Sequence, residues 1–257
     1  MLITDGEQKY LAAFQRVGAI YEETITLLKQ FALDGDWSIV KEKVFRENLL
    51  KKSSTAWIKD ILGAVERRFL PEKELLPSSM EISEFVYSNV SKSSKIQALY
   101  QYVCSSEPLV NRLITGLVGP ILLQYGTSKL TKNAYYEFIA KESESHPELL
   151  TWSPSVSGKW QRNFFAFLRA SGIMERKISL KIRRPVIRIE TLTFFLLGLL
   201  QSGLAPIEVM KHPLWDLYFL SETDIDRLLV EAQGRGWIYY SRAGDIVELK
   251  STPTMRR

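Results

Sequence analysis

Apolar residues recur at helical spacing along most of this chain, and the spacing changes to strict alternation in two short stretches. Between residues 18 and 33, for example, Ile20, Leu27 and Phe31 share one helical face. A period of about 3.6 residues predicts amphipathic helices, whereas alternation predicts half-buried strands. Because the alternating stretches are confined to residues 178–190 and 237–250, the sequence predicts a mainly α fold: a helical bundle with two small antiparallel β-hairpins.

Capping residues mark the predicted helix boundaries. Asp34-Gly35-Asp36 predicts the end of one helix and the start of the next, and Ser53-Ser54 predicts the N-cap of a third helix that runs to about Phe69. Helix, short turn, helix is the outline of a helix-turn-helix unit. Further helices are predicted at residues 82–89, 95–105, 108–125, 131–144, 153–171, 192–200 and 221–233.

A polar segment at residues 70–79 contains Pro71 and Pro77 and is the best candidate for a linker. We therefore predict an N-terminal helical, helix-turn-helix-like domain at residues 1–76. A helical domain with a winged helix-turn-helix and a basic wing would follow at residues 77–190. A C-terminal helical and β-hairpin region, also winged-helix-like, would occupy residues 191–257.

The first alternating stretch directly follows the predicted helix at residues 153–171. Helix, helix, hairpin is the order of a winged helix-turn-helix, so this hairpin is predicted to be a wing, with its turn at Arg184-Pro185. A second hairpin is predicted around Arg242-Ala243-Gly244. The alternating apolar residues of the first hairpin are Ile178, Leu180, Ile182, Ile187 and Ile189.

Positive charge is concentrated in the same region. The chain has 34 Lys and Arg against 29 Asp and Glu, a formal net charge of +5. Residues 159–190 hold nine basic and two acidic residues, a net of +7, which leaves −2 for the rest of the chain. Because a phosphate backbone responds to clustered cations, this distribution favours double-stranded DNA as a partner. The alternative is that the charges only keep an exposed strand face solvated.

The predicted DNA contacts fall into three groups. The helix at residues 153–171 would contribute cations to phosphate and Asn163 to a base edge, and the wing would lie along the backbone. A secondary surface would begin at the N-terminus of the third helix. The predicted residues are Lys159, Arg162, Asn163 and Arg169 on the helix, Lys181, Arg183, Arg184 and Arg188 on the wing, and Lys51, Lys52 and Lys59 on the secondary surface.

Residues that would indicate catalysis or metal binding are scarce. Cys104 is the single cysteine, and His146 and His212 are the two histidines, each followed by proline, so no metal site is expected. The sequence has no Gly-rich phosphate loop and no nucleophile elbow, which predicts a protein that is not an enzyme and needs no cofactor. The longest apolar stretches, residues 109–125 and 192–204, are too short and too interrupted to span a membrane, so a cytoplasmic protein is expected.

Several short runs along the chain belong together: Gly18-Ala19-Ile20, Ser53-Ser54-Thr55, Ala170-Ser171-Gly172, His212-Pro213-Leu214-Trp215 and Arg242-Ala243-Gly244-Asp245. With these runs the chain resembles, over about residues 15 to 250, the BrxA family of accessory proteins of BREX (bacteriophage exclusion) phage-defence systems. The resemblance implies a helical protein with winged-helix character that binds DNA beside a methyltransferase, an alkaline-phosphatase-like protein and ATPases. It implies no catalytic residues.

The sequence thus favours a non-catalytic, DNA-binding accessory subunit of an anti-phage defence system. Two alternatives stay open. One is a scaffold that binds only protein, through the apolar helix faces near residues 109–125 and 192–204. The other is an RNA-binding helical adaptor of the antitermination type. The sequence also leaves open whether the protein is a homo-oligomer.

Overall fold

The secondary structure is mainly helical, as predicted, with two small antiparallel sheets. The computed structural model describes residues 9–175 and 179–252. Short 3-10 helices lie at Ala12–Gln15, Pro147–Thr151 and Pro213–Tyr218, and a π-helical turn at Ile114–Val118 joins two of the α-helices. The α-helices are α1 Tyr21–Asp34, α2 Trp37–Arg46, α3 Thr55–Phe69, α4 Ser79–Tyr87, α5 Lys92–Ser106, α6 Pro108–Leu113, α7 Gly119–Tyr125, α8 Lys132–Glu142, α9 Pro154–Ala170, α10 Ile189–Gln201, α11 Pro206–Met210 and α12 Glu222–Gly234. The strands are β1 Thr127–Lys129, β2 Lys181–Arg183, β3 Ile238–Ala243 and β4 Ile246–Ser251.

Side-chain caps begin the helices where the sequence predicts them. The Asp36 carboxylate accepts a hydrogen bond from the Ser38 amide at the start of α2, and Ser54 does the same for Trp57 in α3. Gly35 ends α1 with a φ of 69°, a left-handed conformation that glycine adopts without strain. These predicted boundaries are therefore confirmed to within a few residues.

Helix α5 lies at the centre of the core and is buried on most sides. It packs against α1, α3, α4, α6 and α10. The Tyr100 hydroxyl donates to the Leu217 carbonyl, and the Tyr218 hydroxyl donates to the Gln97 carbonyl, both at 2.8 Å. Helix α1 also packs against α4. The division into domains at residues 76 and 190 stays a prediction.

No helix in residues 9–175 and 179–252 combines the length and the apolar composition that crossing a bilayer requires. Instead, the apolar stretch at residues 109–125 forms α6, the π-helical turn and α7, and it supplies Leu113, Val118 and Leu122 to the core. Along α10, Leu192, Phe195 and Leu199 are fully buried. Most of the apolar surface of both stretches is thus used within the fold, while Leu123 and Tyr125 of α7 are exposed.

The first sheet is built differently from the predicted hairpin. Strand β2 pairs with β1, in the register Thr127 to Arg183 and Lys129 to Lys181. Along its other edge β2 bonds to residues 173–175: the Arg183 amide donates to the Ile173 carbonyl, and the Glu175 amide donates to the Lys181 carbonyl, each at 2.9 Å. The second sheet is the predicted C-terminal hairpin, with β3 against β4, which confirms that prediction.

The predicted pairing of residues 178–183 with residues 187–190 is therefore wrong. The Gln97 side chain takes the hydrogen bonds that a partner strand would provide: its Nε2 donates to the Val186 carbonyl at 2.7 Å, and its Oε1 accepts from the Arg188 amide at 2.8 Å. Residues 184–188 are irregular, and α10 begins at Ile189. Ile178, the first residue of the predicted hairpin, lies outside the described residues.

Replacing Gln97 with leucine should destabilise the protein by about 1–3 kcal/mol, because two part-buried hydrogen bonds to the Val186 carbonyl and the Arg188 amide are lost, each contributing about 0.5–1.5 kcal/mol. Urea denaturation measures the change. Gln101→Leu is the matched control: Gln101 lies one turn further along α5 and is also buried, its Oε1 has no partner within the described residues, and its Nε2 makes a long bond of 3.4 Å to Ser105 Oγ on the same helix. If both variants lost the same free energy of unfolding, the Gln97 hydrogen bonds would not be what holds residues 184–188.

Candidate nucleic-acid interface

Helix α9 has one apolar face and one basic face. Trp160, Phe164 and Phe167 are buried, and the side of the helix opposite them is open to solvent. Its 17 residues contain no acidic side chain. The open side, called here the α9 stripe, runs at positions i, i+4, i+7, i+11 and i+14 and consists of exposed Ser155, Lys159, Arg162 and Ala166 and half-buried Arg169.

The direction of the α9 stripe is fixed by aromatic packing on the other side of the helix. The Phe14 ring lies 5.0 Å from the Trp160 ring and 6.0 Å from the Phe167 ring, between ring centroids. On α8, the Tyr135 ring packs against Phe164 at 6.0 Å. Because these contacts hold α9 from two sides, the cations of the stripe face outward.

Asn163 lies beside the stripe but has a structural role. Its Nδ2 donates to the Phe14 carbonyl at 3.0 Å and to the Gln15 carbonyl at 2.8 Å, which uses both amide protons. These bonds attach the 3-10 turn at Ala12–Gln15 to α9. A base edge could bind Asn163 only by displacing both of these hydrogen bonds. Asn163 is therefore not among the residues of the proposed interface.

The exposed face of the first sheet carries three cations. Residues opposite one another in an antiparallel pair share a face, so Lys129 and Lys181 lie side by side, and Arg183 follows two residues later on the same face. These three exposed residues are called here the β1–β2 basic face, and Ile182 points from the opposite face into the core.

Like charges placed directly opposite each other destabilise a sheet. Lys181 Nζ lies 3.8 Å from a Glu175 carboxylate oxygen, and no described acidic side chain forms an ion pair with Lys129 or Arg183.

The sequence did not predict Lys129 because its partner strand is far away in the chain. Strand β1 has three residues, too few for alternation to be detected. Lys129 joins Lys181 only through the pairing of β1 with β2. Gly126 and Thr127 near the end of α7 indicate a helix stop, but nothing local indicates which strand follows it.

Arg184 and Arg188 occupy different surroundings from those predicted. Arg184 follows directly after β2, in a segment that does not turn into a partner strand, so the predicted hairpin turn at Arg184-Pro185 is wrong. The Arg184 guanidinium lies 3.7 Å from the Asp224 carboxylate, whose pKa is lowered chiefly by hydrogen bonds from Ser221. Arg188 is exposed just before α10, and its backbone amide is bonded to Gln97. Arg184 is thus partly neutralised, whereas the side chain of Arg188 is open to solvent.

The secondary surface proposed from the sequence is only partly free. Lys52 Nζ is 2.9 Å from a Glu23 carboxylate oxygen, so its charge is compensated. Lys51 is exposed and has a positive φ of 51°. Lys59 lies on the exposed side of α3 and borders a groove that also contains Arg16 and Arg67. The three lysines therefore have three different environments.

His146 and Cys104 are engaged in packing, and His212 Nδ1 accepts a hydrogen bond from the Leu214 amide at 3.1 Å. The His146 ring stacks on Tyr10 with ring centroids 3.9 Å apart, and its Nδ1 is 3.2 Å from a Glu148 carboxylate oxygen. Cys104 is buried, and burial raises the pKa of its thiol. Across the part of the chain that the structure describes, no three His, Cys, Asp or Glu side chains are grouped so that they could hold a metal ion.

A comparison with known proteins finds a family that matches most of the chain. A family model described as BrxA matches residues 8–196, which include α1 to α9 and both strands of the first sheet. Among solved structures, the chain is similar to that of an uncharacterized protein from Magnetospirillum magneticum, with a TM-score of 0.62 and 14% sequence identity over 76% of this chain and 96% of that chain. This likeness shows a shared fold. No curated protein matches the chain.

Proposed function

The chain belongs to the BrxA family, and from this premise we propose that it is a non-catalytic accessory subunit of a BREX anti-phage defence system that binds double-stranded DNA. Contact would be made with the phosphate backbone through the α9 stripe and the β1–β2 basic face. The observation that carries the proposal is the α9 stripe: three cations and two small residues on the open side of a helix without an acidic residue. Small side chains allow close approach to a duplex, and cations neutralise its phosphates.

The order of elements around α9 supports this proposal. Helices α6 and α7 precede β1, helices α8 and α9 follow it, and the chain then returns through residues 173–175 and β2. Strand β2 lies between β1 and residues 173–175. We regard this as a winged helix-turn-helix unit whose wing strands are residues 173–175 and β2. In a helix-turn-helix protein the second helix of the motif, here α9, enters the major groove.

The protein-only scaffold has less support. The helix faces that it would use are those of α6, α7 and α10, and Leu113, Leu122, Phe195 and Leu199 on these helices are buried in this chain's own core. The other BREX proteins, namely the methyltransferase, the phosphatase-like protein and the ATPases, are retained as proposed partners alongside DNA. A cytoplasmic location stays a prediction.

Titration of a fluorescent DNA duplex at two salt concentrations tests the proposal. Binding that weakens as salt rises is expected, because phosphate contacts release counterions. Competition with an RNA duplex separates this function from the RNA adaptor, which would bind the RNA more tightly. Absence of binding at low salt would leave the protein scaffold as the better account.

Replacing Lys129 with glutamine should change stability and DNA affinity in opposite directions. The variant removes a like-charge pair, so the free energy of unfolding should rise by a few tenths of a kcal/mol. It also removes a phosphate contact, so the slope of log affinity against log salt should become shallower by about 0.9. Thermal unfolding and the duplex titration measure the two effects.

Lys250→Gln is the control for this experiment, since Lys250 is an exposed strand lysine of β4 that lies beside Glu248. Its removal should leave the salt slope unchanged. If Lys129→Gln kept the wild-type affinity and slope, the β1–β2 basic face would not contact DNA.

A further inference from the structure

A groove lies between the 3-10 turn at Ala12–Gln15 and the exposed face of α3. It has a volume of about 400 Å³, within the range of roughly 300–1,000 Å³ that is usual for small-molecule sites. Ala12, Ala13, Gly63 and Ala64 give it small walls. A Cβ at Gly63 would have no neighbouring atom within 4 Å, so the space above this residue is open.

The charged residues at the groove are mostly basic. Arg16, Lys59 and Arg67 line it together with a single acidic residue, Asp60. The Arg16 guanidinium is 3.8 Å from the Asp60 carboxylate, and the Arg16 side chain is 69% exposed. A pair this long and this exposed compensates little charge. The groove therefore presents a net positive charge to a ligand.

Arg67 contributes more of that charge than its ion pair suggests. Its Nη2 donates to Oε1 of Glu107 at 2.7 Å, and Nε of the neighbouring Arg68 donates to the same oxygen at 2.7 Å. Two guanidinium groups thus share one carboxylate, which leaves one positive charge uncompensated. In addition, Arg67 Nε is buried, and no acceptor within the described residues bonds to it.

We infer that this groove binds a phosphate-bearing ligand of nucleotide size. Arginine and lysine side chains are the usual partners of phosphate oxygens, and small apolar walls fit the body of such a ligand. The phosphate can come from a free nucleoside monophosphate or from a strand of the DNA that α9 would hold. The second source rests on the proposed function, whereas the first does not.

Calorimetric titration with AMP, with adenosine as the comparison, tests the inference on the intact chain. AMP should bind at least about tenfold more tightly than adenosine, since charge-assisted hydrogen bonds to phosphate are the stronger ones. Gly63→Leu fills the open space, and Lys59→Gln removes a cation from an exposed position. Each should weaken AMP binding about tenfold or more, while Lys250→Gln, at an exposed lysine of β4 outside the groove lining, should not.

Duplex titrations with the same variants identify the source of the phosphate. A free nucleotide is indicated if AMP binds, does not compete with DNA, and Gly63→Leu leaves DNA affinity unchanged. A DNA phosphate is indicated if both groove variants weaken duplex binding. The inference is overturned if AMP fails to bind at millimolar concentration and both variants bind DNA like the wild type, or if AMP binds all variants equally. If the proposed function is wrong, variants of the α9 stripe will bind duplex DNA like the wild type. These variants leave the groove intact, so this outcome is separate from the test of the groove.

Discussion

The double variant Lys159→Gln with Arg162→Gln is expected to bind duplex DNA about 30-fold more weakly than the wild type at 0.15 M salt. Each phosphate contact contributes about 0.9 to the slope of log affinity against log salt, which at this concentration corresponds to about five- to sixfold in affinity. Both side chains are exposed on the α9 stripe. Their loss should weaken binding to all duplex sequences alike and reduce the slope by about 1.8.

A matched control removes the same charge from the C-terminal part of the chain. Arg227 is exposed on helix α12 and Lys250 is exposed on strand β4. Neither residue belongs to α9 or to the β1–β2 basic face. Arg227→Gln with Lys250→Gln should leave the slope as it is. If the control lost as much affinity as the α9 variant, net charge would account for binding, and α9 would not be the contact helix.

Replacing Arg68 with methionine should cost about 3–5 kcal/mol of stability, the range observed when one partner of a buried ion pair is removed. Arg68 is 1% exposed and lies over the Phe14 ring. Besides Glu107, it bonds the Gly18 carbonyl through Nη1 and the Val17 carbonyl through Nη2, at 3.0 and 2.7 Å. The methionine variant keeps the volume but leaves these carbonyls without their donor.

Thermal unfolding measures this effect as a fall in Tm of roughly 10 °C for a chain of this size. Arg46→Met provides the comparison, because Arg46 is exposed on α2 and, within the described residues, its ion pairs are with Glu42 and Glu47 on the surface. Its Tm should match that of the wild type. A loss below about 1 kcal/mol for Arg68→Met would mean that residues 17 and 18 are held by packing and not by this arginine.

Local signals in the sequence were sufficient for most of the α-helices and for the C-terminal hairpin, but not for α11 or for the π-helical turn within the predicted helix at residues 108–125. Asp36, Ser54 and Ser221 each act at the helix start that the sequence indicates. The first sheet could not be predicted in the same way. It pairs residues 127–129 with residues 181–183, and Gln97 on a distant helix bonds the segment after β2 through its side-chain amide. The periodicity of apolar residues cannot show that the Gln97 side chain, and not a neighbouring strand, bonds the backbone of residues 186 and 188.

The candidate site shows the same limit. Local charge density located Lys159, Arg162, Lys181 and Arg183. Lys129 and the groove arginines were not found, because the residues that surround them come together only through contacts between distant parts of the chain. A cluster formed within one segment can be counted in a sequence, whereas one formed by two distant segments becomes visible only once they pack.

The contact between Asn163 and the turn that precedes α1 restricts how this family can vary. A Cβ at Gly18 would lie 3.1 Å from the Asn163 Cβ, so the two positions compete for the same space. Asn163 needs this space to reach the carbonyls of Phe14 and Gln15. In an alignment of homologues we therefore expect covariation: where residue 18 carries a side chain, residue 163 should be smaller, and the turn should be attached to α9 by other means.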